Sequence, residues 1–217
     1  MTPDLRKTLE RPQKGSFLLA GEFVLTIGSE TQIPDTLKGI FLKGRREPRI
    51  AMVGRSNVGK SSLINALLGT RLAQVSKEPG KTRAIHFYFW KDAGKIIADL
   101  PGYGYARAGH EERERWATFI GAYLRADEGL DRAFVLLDAR HGPTELDLDA
   151  MRFLAENGIP MTAVFTKADV LKTQSERAIR KRESLALLKE LGFGPDNIFW
   201  VSARGQTGLQ ELLRAMK

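Results

Sequence analysis

Cysteine is missing altogether from the 217 residues, and histidine occurs only at His86, His110 and His141. The first absence excludes a disulfide framework and a thiolate metal site, and three scattered histidines leave no zinc-binding spacing. No apolar run approaches the roughly 20 residues that cross a bilayer. The opening stretch, MTPDLRKTLERPQKG, has no apolar segment of the kind found in a secretion signal. A soluble, cytoplasmic protein without membrane association is therefore expected. Internal repeats are also lacking, and the length suits one packed α/β domain with a short appendage rather than two domains. Lys and Arg number 34 against 26 Asp and Glu, a net charge of +8. That balance biases the surface toward polyanions such as RNA, although a basic but otherwise ordinary enzyme shares it.

What the sequence does have, from Arg49 onward, is short apolar β-rich runs alternating with longer helical patterns, the signature of a parallel sheet covered on both faces. RIAMVG (49–54) reads as a buried strand, followed by a helix from about Ser61 with Leu63, Ala66 and Leu67 inward and Gly69 as its stop. HFYFW (86–90) and KIIAD (95–99), joined by the turn Lys91-Asp92-Ala93-Gly94, read as an antiparallel pair. Trp116, Phe119, Ile120, Tyr123 and Leu124 form the apolar stripe of a helix over 111–126. RAFVLLDA (132–139), PMTAVFT (160–166) and NIFWVSA (197–203) are further strands. Helices are expected near 145–156, from the Thr173/Glu176 capping box to about Leu191, and along Leu209, Leu212, Leu213 and Met216. Residues 1–15 are expected to be a mobile arm, 16–48 an extension packing on the core with a strand or turn in FLLAGEFVLTIGSETQIP (17–34), and 49–217 the main domain.

Four short stretches carry chemistry. GRSNVGKS (54–61) has the Gly-x4-Gly-Lys-Ser spacing of a loop that wraps phosphates with backbone N–H groups, placed between a buried strand and a helix start. There Lys60 reaches the β- and γ-phosphates and the Ser61 hydroxyl is a Mg²⁺ ligand. DLPG (99–102) ends the KIIAD strand, where Asp99 can hold Mg²⁺ through a water and Gly102 can offer an N–H to a γ-phosphate. TKAD (166–169) also ends a strand. The Asp169 carboxylate can accept from guanine N1–H and the 2-amino group, which adenine does not offer, while the Lys167 stem lies over the base. Ala203, in the pair Ser202-Ala203 at the end of the following strand, can bring an N–H to guanine O6. A helix-capping turn is the ordinary account of TKAD taken alone.

GRSNVGKS, PGKT (79–82), DLPG, TKAD and VSA (201–203), in this order, resemble the five nucleotide-binding motifs of the TRAFAC-class GTPases. The run DLPGYGYA (99–106) is similar, more narrowly, to the EngB/YihA/YsxC family of ribosome-assembly GTPases in the TrmE–Era-like group, as is Thr166 where most GTPases carry asparagine. The resemblance implies a three-layer α/β P-loop GTPase (Ras-like) fold: a mostly parallel six-stranded sheet with one antiparallel strand and helices on both faces. It implies GTP or GDP and Mg²⁺ as ligands, with nucleotide contacts from Gly54, Arg55, Ser56, Asn57, Val58, Gly59, Lys60 and Ser61 in the first motif. Gly80, Lys81, Thr82, Arg83 and Ala84 follow in the second, and Asp99, Leu100, Pro101 and Gly102 in the third. Thr166, Lys167, Ala168, Asp169, Val201, Ser202 and Ala203 complete the set. Thr82 joins Ser61 on the metal, with Lys60, Thr82, Gly102 and Asn57 carrying catalysis. Glu78 stands where a small hydroxyl residue is expected, a departure in the loop before Thr82.

Partnership with the large ribosomal subunit precursor and its rRNA, a monomeric state, and a need for the protein in growth, division and septation are likewise implied. Tyr103 occupies the position at which many GTPases place a water-orienting glutamine, so intrinsic hydrolysis is expected to be slow. Asn57 is the candidate to hold K⁺ beside the phosphates, as in TrmE-type relatives; the alternative is that it simply tolerates a left-handed turn. Arg83 and Arg107 are candidate charge donors or RNA contacts, and RAIRKR (177–182) a candidate RNA patch or a solvated helix face. Two other functions stand beside the GTPase: a guanine-nucleotide-sensing RNA-binding module that scarcely hydrolyses, and an ATP-using small-molecule kinase, which Asp169 and the lack of an arginine-rich lid disfavour.

Overall fold

The computed structural model describes residues 21–34, 37, 47–73, 84–103 and 110–216. The arm expected at 1–15, and Glu78, Gly80, Lys81, Thr82, Arg83 and Arg107, lie outside the described residues. Among the described residues seven strands form one sheet: β1 (Glu22–Ile27), β2 (Arg49–Gly54), β3 (Ile85–Trp90), β4 (Lys95–Asp99), β5 (Leu130–Asp138), β6 (Met161–Thr166) and β7 (Ile198–Trp200). Their order is β1-β3-β4-β2-β5-β6-β7. Only β3 runs against its neighbours, pairing antiparallel with both β1 and β4, while β2, β4, β5, β6 and β7 are parallel.

Residues 49–217 contribute the six strands expected of them, and the N-terminal stretch adds a seventh on the outer edge of β3. It is the strand of the strand-or-turn alternative expected in 17–34, and only Ile27 of it is buried, so the weak alternation of EFVLTI does not fix where it pairs. At the other edge β7 holds three residues where seven were read as extended, because Asn197 closes a 3-10 turn and Val201 leaves the ladder.

The central strands show why two helical layers are needed. In β2, Ile50 and Met52 enter one core while Ala51 and Val53 enter the other, and β5 alternates likewise between Phe134/Leu136 and Val135/Leu137. The first core is closed by α1 (Lys60–Leu68) and α5 (Leu209–Ala215) through Leu63, Ile64, Leu67, Leu212 and Leu213. The second is closed by α2 (His110–Ala126), α3 (Glu145–Glu156) and α4 (Gln174–Lys189) through Ile120, Tyr123, Met151, Leu154 and Leu188. Ala66, expected inward, is only half-buried; Ile64 and Leu68 take that face. Helix α1 begins one residue early, at Lys60, and stops at Gly69. Helix α4 carries the expected capping box, Thr173 accepting from the Glu176 amide at 3.1 Å, and ends at Lys189.

The β1–β3 seam contains a titrating group. Thr26 Oγ1 and His86 Nδ1 lie 2.8 Å apart. Burial, offset by Asp99 and reinforced by Lys60, holds the His86 imidazole below its ordinary pKa. The unfolded chain therefore binds the proton first as pH falls, and stability drops below about pH 6.5 until the folded-state pKa is passed. Thermal melts between about pH 7.5 and 5.5 should show a falling midpoint, and His86→Gln should flatten that slope.

Candidate functional site

The C-terminal ends of β2, β4, β5 and β6 open on one edge of the sheet. Strand order reverses at β2, since its chain neighbours lie on one side and β5 on the other, which makes its mouth the place where open α/β sheets form ligand crevices. The loop after β2 turns through two left-handed residues, Asn57 at φ 64° and Gly59 at φ 106°. The second is the N-cap of α1 and brings no side chain to its first amides, so the helix start faces outward with its donors and its positive dipole end. Asn57 thus has the left-handed conformation weighed as its simpler explanation.

Lys60 does not project alone. Its ammonium is ion-paired with the Asp99 carboxylate at the end of β4, both side chains being largely buried. The segment after Asp99 lies against the loop: Leu100 N–H donates to Met52 O (3.2 Å), Tyr103 N–H to Gly54 O (3.3 Å), and Ser56 N–H to Tyr103 O (3.1 Å). A Cβ on Gly102 would meet Ser56 N at 3.1 Å and Gly54 O at 3.2 Å, closer than ordinary contact, which accounts for glycine there. Tyr103 is turned inward. Its hydroxyl donates to Asp147 Oδ1 at 2.8 Å, and its ring packs edge-on against Trp116, whose indole N–H donates to Pro101 O at 2.7 Å. Burial first, then the Asp147 charge, pushes the Tyr103 phenol well above its ordinary pKa.

The TKAD stretch is tied to the same loop from the other side. Thr166 Oγ1 donates to Val58 O at 2.5 Å, and Leu137 O lies 3.1 Å from the same hydroxyl. Lys167, itself left-handed at φ 56°, donates its ammonium to Asn57 O and to Asp138 Oδ2, each at 2.7 Å. Ala168 N–H donates to Val201 O at 3.0 Å, and the Ser202 hydroxyl donates to Asp169 Oδ1 at 2.6 Å while accepting from Gly205 N–H at 2.7 Å. The Ser202 hydroxyl is the main reason the Asp169 carboxyl sits below the usual range, which keeps it ionised and accepting.

Sequence reasoning overlooked Asp138, Arg140 and Asp147. Asp138 ends β5 as Asp99 ends β4, a shared position that was the available signal. It gathers the Lys167 ammonium, the Arg140 guanidinium (2.9 and 2.6 Å) and the Arg140 amide, and these partners hold its carboxyl far below the ordinary value against the effect of burial. A cleft of about 440 Å³ lies between the phosphate-type loop and this segment, lined by Arg55, Ser56, Asn57, Val58, Asp138, Arg140, His141 and Thr144. Three cations of the RAIRKR segment have partners within the fold: Arg177 Nε donates to Leu171 O, Arg180 to the carbonyls of Arg140 and His141, and Lys181 lies 5.9 Å over the Trp200 ring.

A glycine-lysine-serine loop at the reversal point of a mostly parallel sheet, with an acid at the adjoining strand end, is the architecture of the P-loop GTPases, and the chain is one. A family model described as 50S ribosome-binding GTPase matches residues 49–167. Within that class the chain belongs to the EngB family of GTP-binding proteins. It is 41% identical over 195 residues to a probable GTP-binding protein EngB of Porphyromonas gingivalis, covering 88% of this chain and 90% of that one. It is 48% identical over 143 residues to that of Desulfovibrio desulfuricans, covering 65% and 71%. A crystal structure of a probable GTP-binding protein EngB superposes with a TM-score of 0.60 at 27% identity, over 77% of this chain and 96% of that one. A point variant of Aquifex aeolicus Era bound to GDP and AlF4⁻ gives 0.59 at 25% identity, over 77% and 55%.

Proposed function

We propose that the protein is a Mg²⁺-dependent GTPase of slow intrinsic turnover whose GTP and GDP states switch its association with the large ribosomal subunit precursor. The observation that carries the reading is the Asp169 carboxylate, fixed by Ser202 and linked through Lys167 and Thr166 to the carbonyls of the loop at Asn57 and Val58. That geometry lets one ligand engage a purine-selecting acceptor and a ring of phosphate donors together. Amides of residues 57–61 enclose the phosphates, Lys60 exchanges Asp99 for phosphate oxygens, Gly102 meets the γ-phosphate, and Ala203 meets O6. The Ser61 and Thr82 hydroxyls would hold Mg²⁺, with Asp99 reaching it through a water. Bound there, Mg²⁺ neutralises charge on the β- and γ-phosphates. Asn57 would be the residue to hold K⁺ beside the same phosphates.

The partner rests on family membership, on the description of the matching family model and on the net charge of +8, which suits rRNA. Among the described residues no helix is long and apolar enough to cross a membrane. The reading gives a cytoplasmic monomer acting in ribosome assembly and, through it, in growth, division and septation. One observation favours the second reading, a nucleotide-sensing module with negligible hydrolysis: the Tyr103 phenol is committed to Asp147 and offers nothing to a water. Single-turnover hydrolysis separates the two. The GTPase should be slow alone, faster with large ribosomal subunits, and slower again when Na⁺ replaces K⁺. Inertness under every condition leaves the sensor, and equal rates in both salts remove Asn57 from the chemistry.

A further inference from the structure

Asp147 is one of the most enclosed carboxylates among the described residues. An ionised acid in such a place is tolerated only when its oxygens are satisfied. Oδ2 has a local explanation: it accepts from the Thr144 amide at 2.9 Å and the Thr144 hydroxyl at 2.7 Å, which caps α3. Oδ1 does not. It accepts from the Tyr103 hydroxyl at 2.8 Å and lies 3.4 Å from Arg55 Nε, so it reaches out of its own helix to two segments that border the nucleotide site. Helix capping requires neither contact.

Tyr103 directly follows Gly102, and its backbone is bridged to the phosphate loop on both sides, through Gly54 O and Ser56 N–H. Its ring is clamped by Trp116, which also holds the Pro101 carbonyl. Fixing the phenol fixes the Tyr103 backbone, and together with the Trp116 hold on the Pro101 carbonyl this fixes the Pro101–Gly102 peptide, which carries the Gly102 N–H, beside the loop. We propose that Asp147 is a positioning residue: through Tyr103 it presets the Gly102 peptide against the phosphate loop and thereby sets how strongly the protein prefers GTP over GDP. The inference rests on the reading that the Gly102 amide meets a γ-phosphate. GDP has none, so the tether acts on one nucleotide only; a preset donor saves GTP the cost of ordering that peptide on binding. The Arg55 contact adds a second strap, from the first residue of the loop to the same oxygen.

Tyr103→Phe removes one oxygen and keeps the ring, so it tests the tether with the least disturbance of packing. Against the parent, it should bind a non-hydrolysable GTP analogue about five- to tenfold more weakly while GDP affinity stays within about twofold. Asp147→Asn, which removes the anionic acceptor, should change the ratio in the same direction, and Tyr103→Phe decides the matter alone if that variant does not fold. A loss shared equally by both nucleotides, or an unchanged ratio, would overturn the tether and leave the GTPase reading standing. A parent protein that binds both nucleotides alike would show instead that the Gly102 amide does not sense the γ-phosphate, and would overturn that role of Gly102 together with the tether.

Discussion

Asp169→Ala should weaken GTP binding by about a hundredfold to a thousandfold while leaving the thermal midpoint nearly unchanged. The carboxylate is proposed to accept two hydrogen bonds from guanine, and each bond to a charged group contributes about 1.5–3 kcal/mol. The size of the loss depends on the acid being held ready. Ser202 fixes one oxygen at 2.6 Å, and the short 3-10 turn carrying Asp169 has no buried residue, so truncation costs binding rather than packing. Asp169→Asn sharpens the test. An amide keeps an acceptor for N1–H and places a donor where the 2-amino group would approach, so preference should move from GTP toward xanthosine triphosphate, whose 2-position is a carbonyl. Titration calorimetry with GTP, ATP and xanthosine triphosphate measures all of this. Unaltered GTP affinity in the alanine variant would exclude Asp169 from base recognition.

The largest effect on stability is expected at the opposite end of β2. Arg49, first residue of that strand, and Asp127, just after α2, are both fully enclosed, with side-chain exposures of 1% and 0%. The Arg49 Nε donates to both carboxylate oxygens at 2.6 and 2.8 Å, its Nη2 donates as well, and Asp127 also accepts from Tyr123 OH at 2.6 Å and Gly129 N–H at 3.1 Å. Asp127→Ala removes the carboxylate that the enclosed guanidinium and phenol share, and breaking such a buried ion pair costs about 3–5 kcal/mol. For a chain of this size that corresponds to a drop of roughly 10 °C in thermal midpoint. Chemical denaturation of the variant should give the free-energy difference directly. A loss below about 1 kcal/mol would mean that water or a neighbour replaces the carboxylate. Joint replacement of Arg49 and Asp127 by apolar residues of similar volume should cost far less than Asp127→Ala alone.

The core was legible because strands buried on both faces are continuous apolar runs, such as RIAMVG and RAFVLLDA, and no polar alternation is needed to find them. The helix stripe at Trp116 to Leu124 and the Lys91–Gly94 turn were equally local signals, and each appears where expected. What escaped notice were long-range polar contacts. Asp138 and Asp147 look like solvated acids along the chain; their partners Lys167 and Tyr103 lie 29 and 44 residues away, so burial and pairing become visible only in three dimensions. Tyr103 shows the same limit. Judged as a substitute for glutamine it was merely an unsuitable water-holder, whereas its ring and hydroxyl are structural members joining the end of β4, α2 and α3. Along the chain Arg180 belongs to the basic run RAIRKR, yet its guanidinium donates to the carbonyls of residues 140 and 141.

The added edge strand has a consequence for the life of the polypeptide. Ile85–Trp90 reads IHFYFW, an aromatic-rich segment of high β-propensity with no acidic, lysine or arginine residue, and β1 occupies its outer row of backbone donors and acceptors. Stripped of that cover, by loss of the residues upstream of Arg49, such a ribbon would be a template on which another molecule can zip and seed insoluble fibrils. The N-terminal stretch therefore works as a built-in guard against self-assembly, whatever else it contributes.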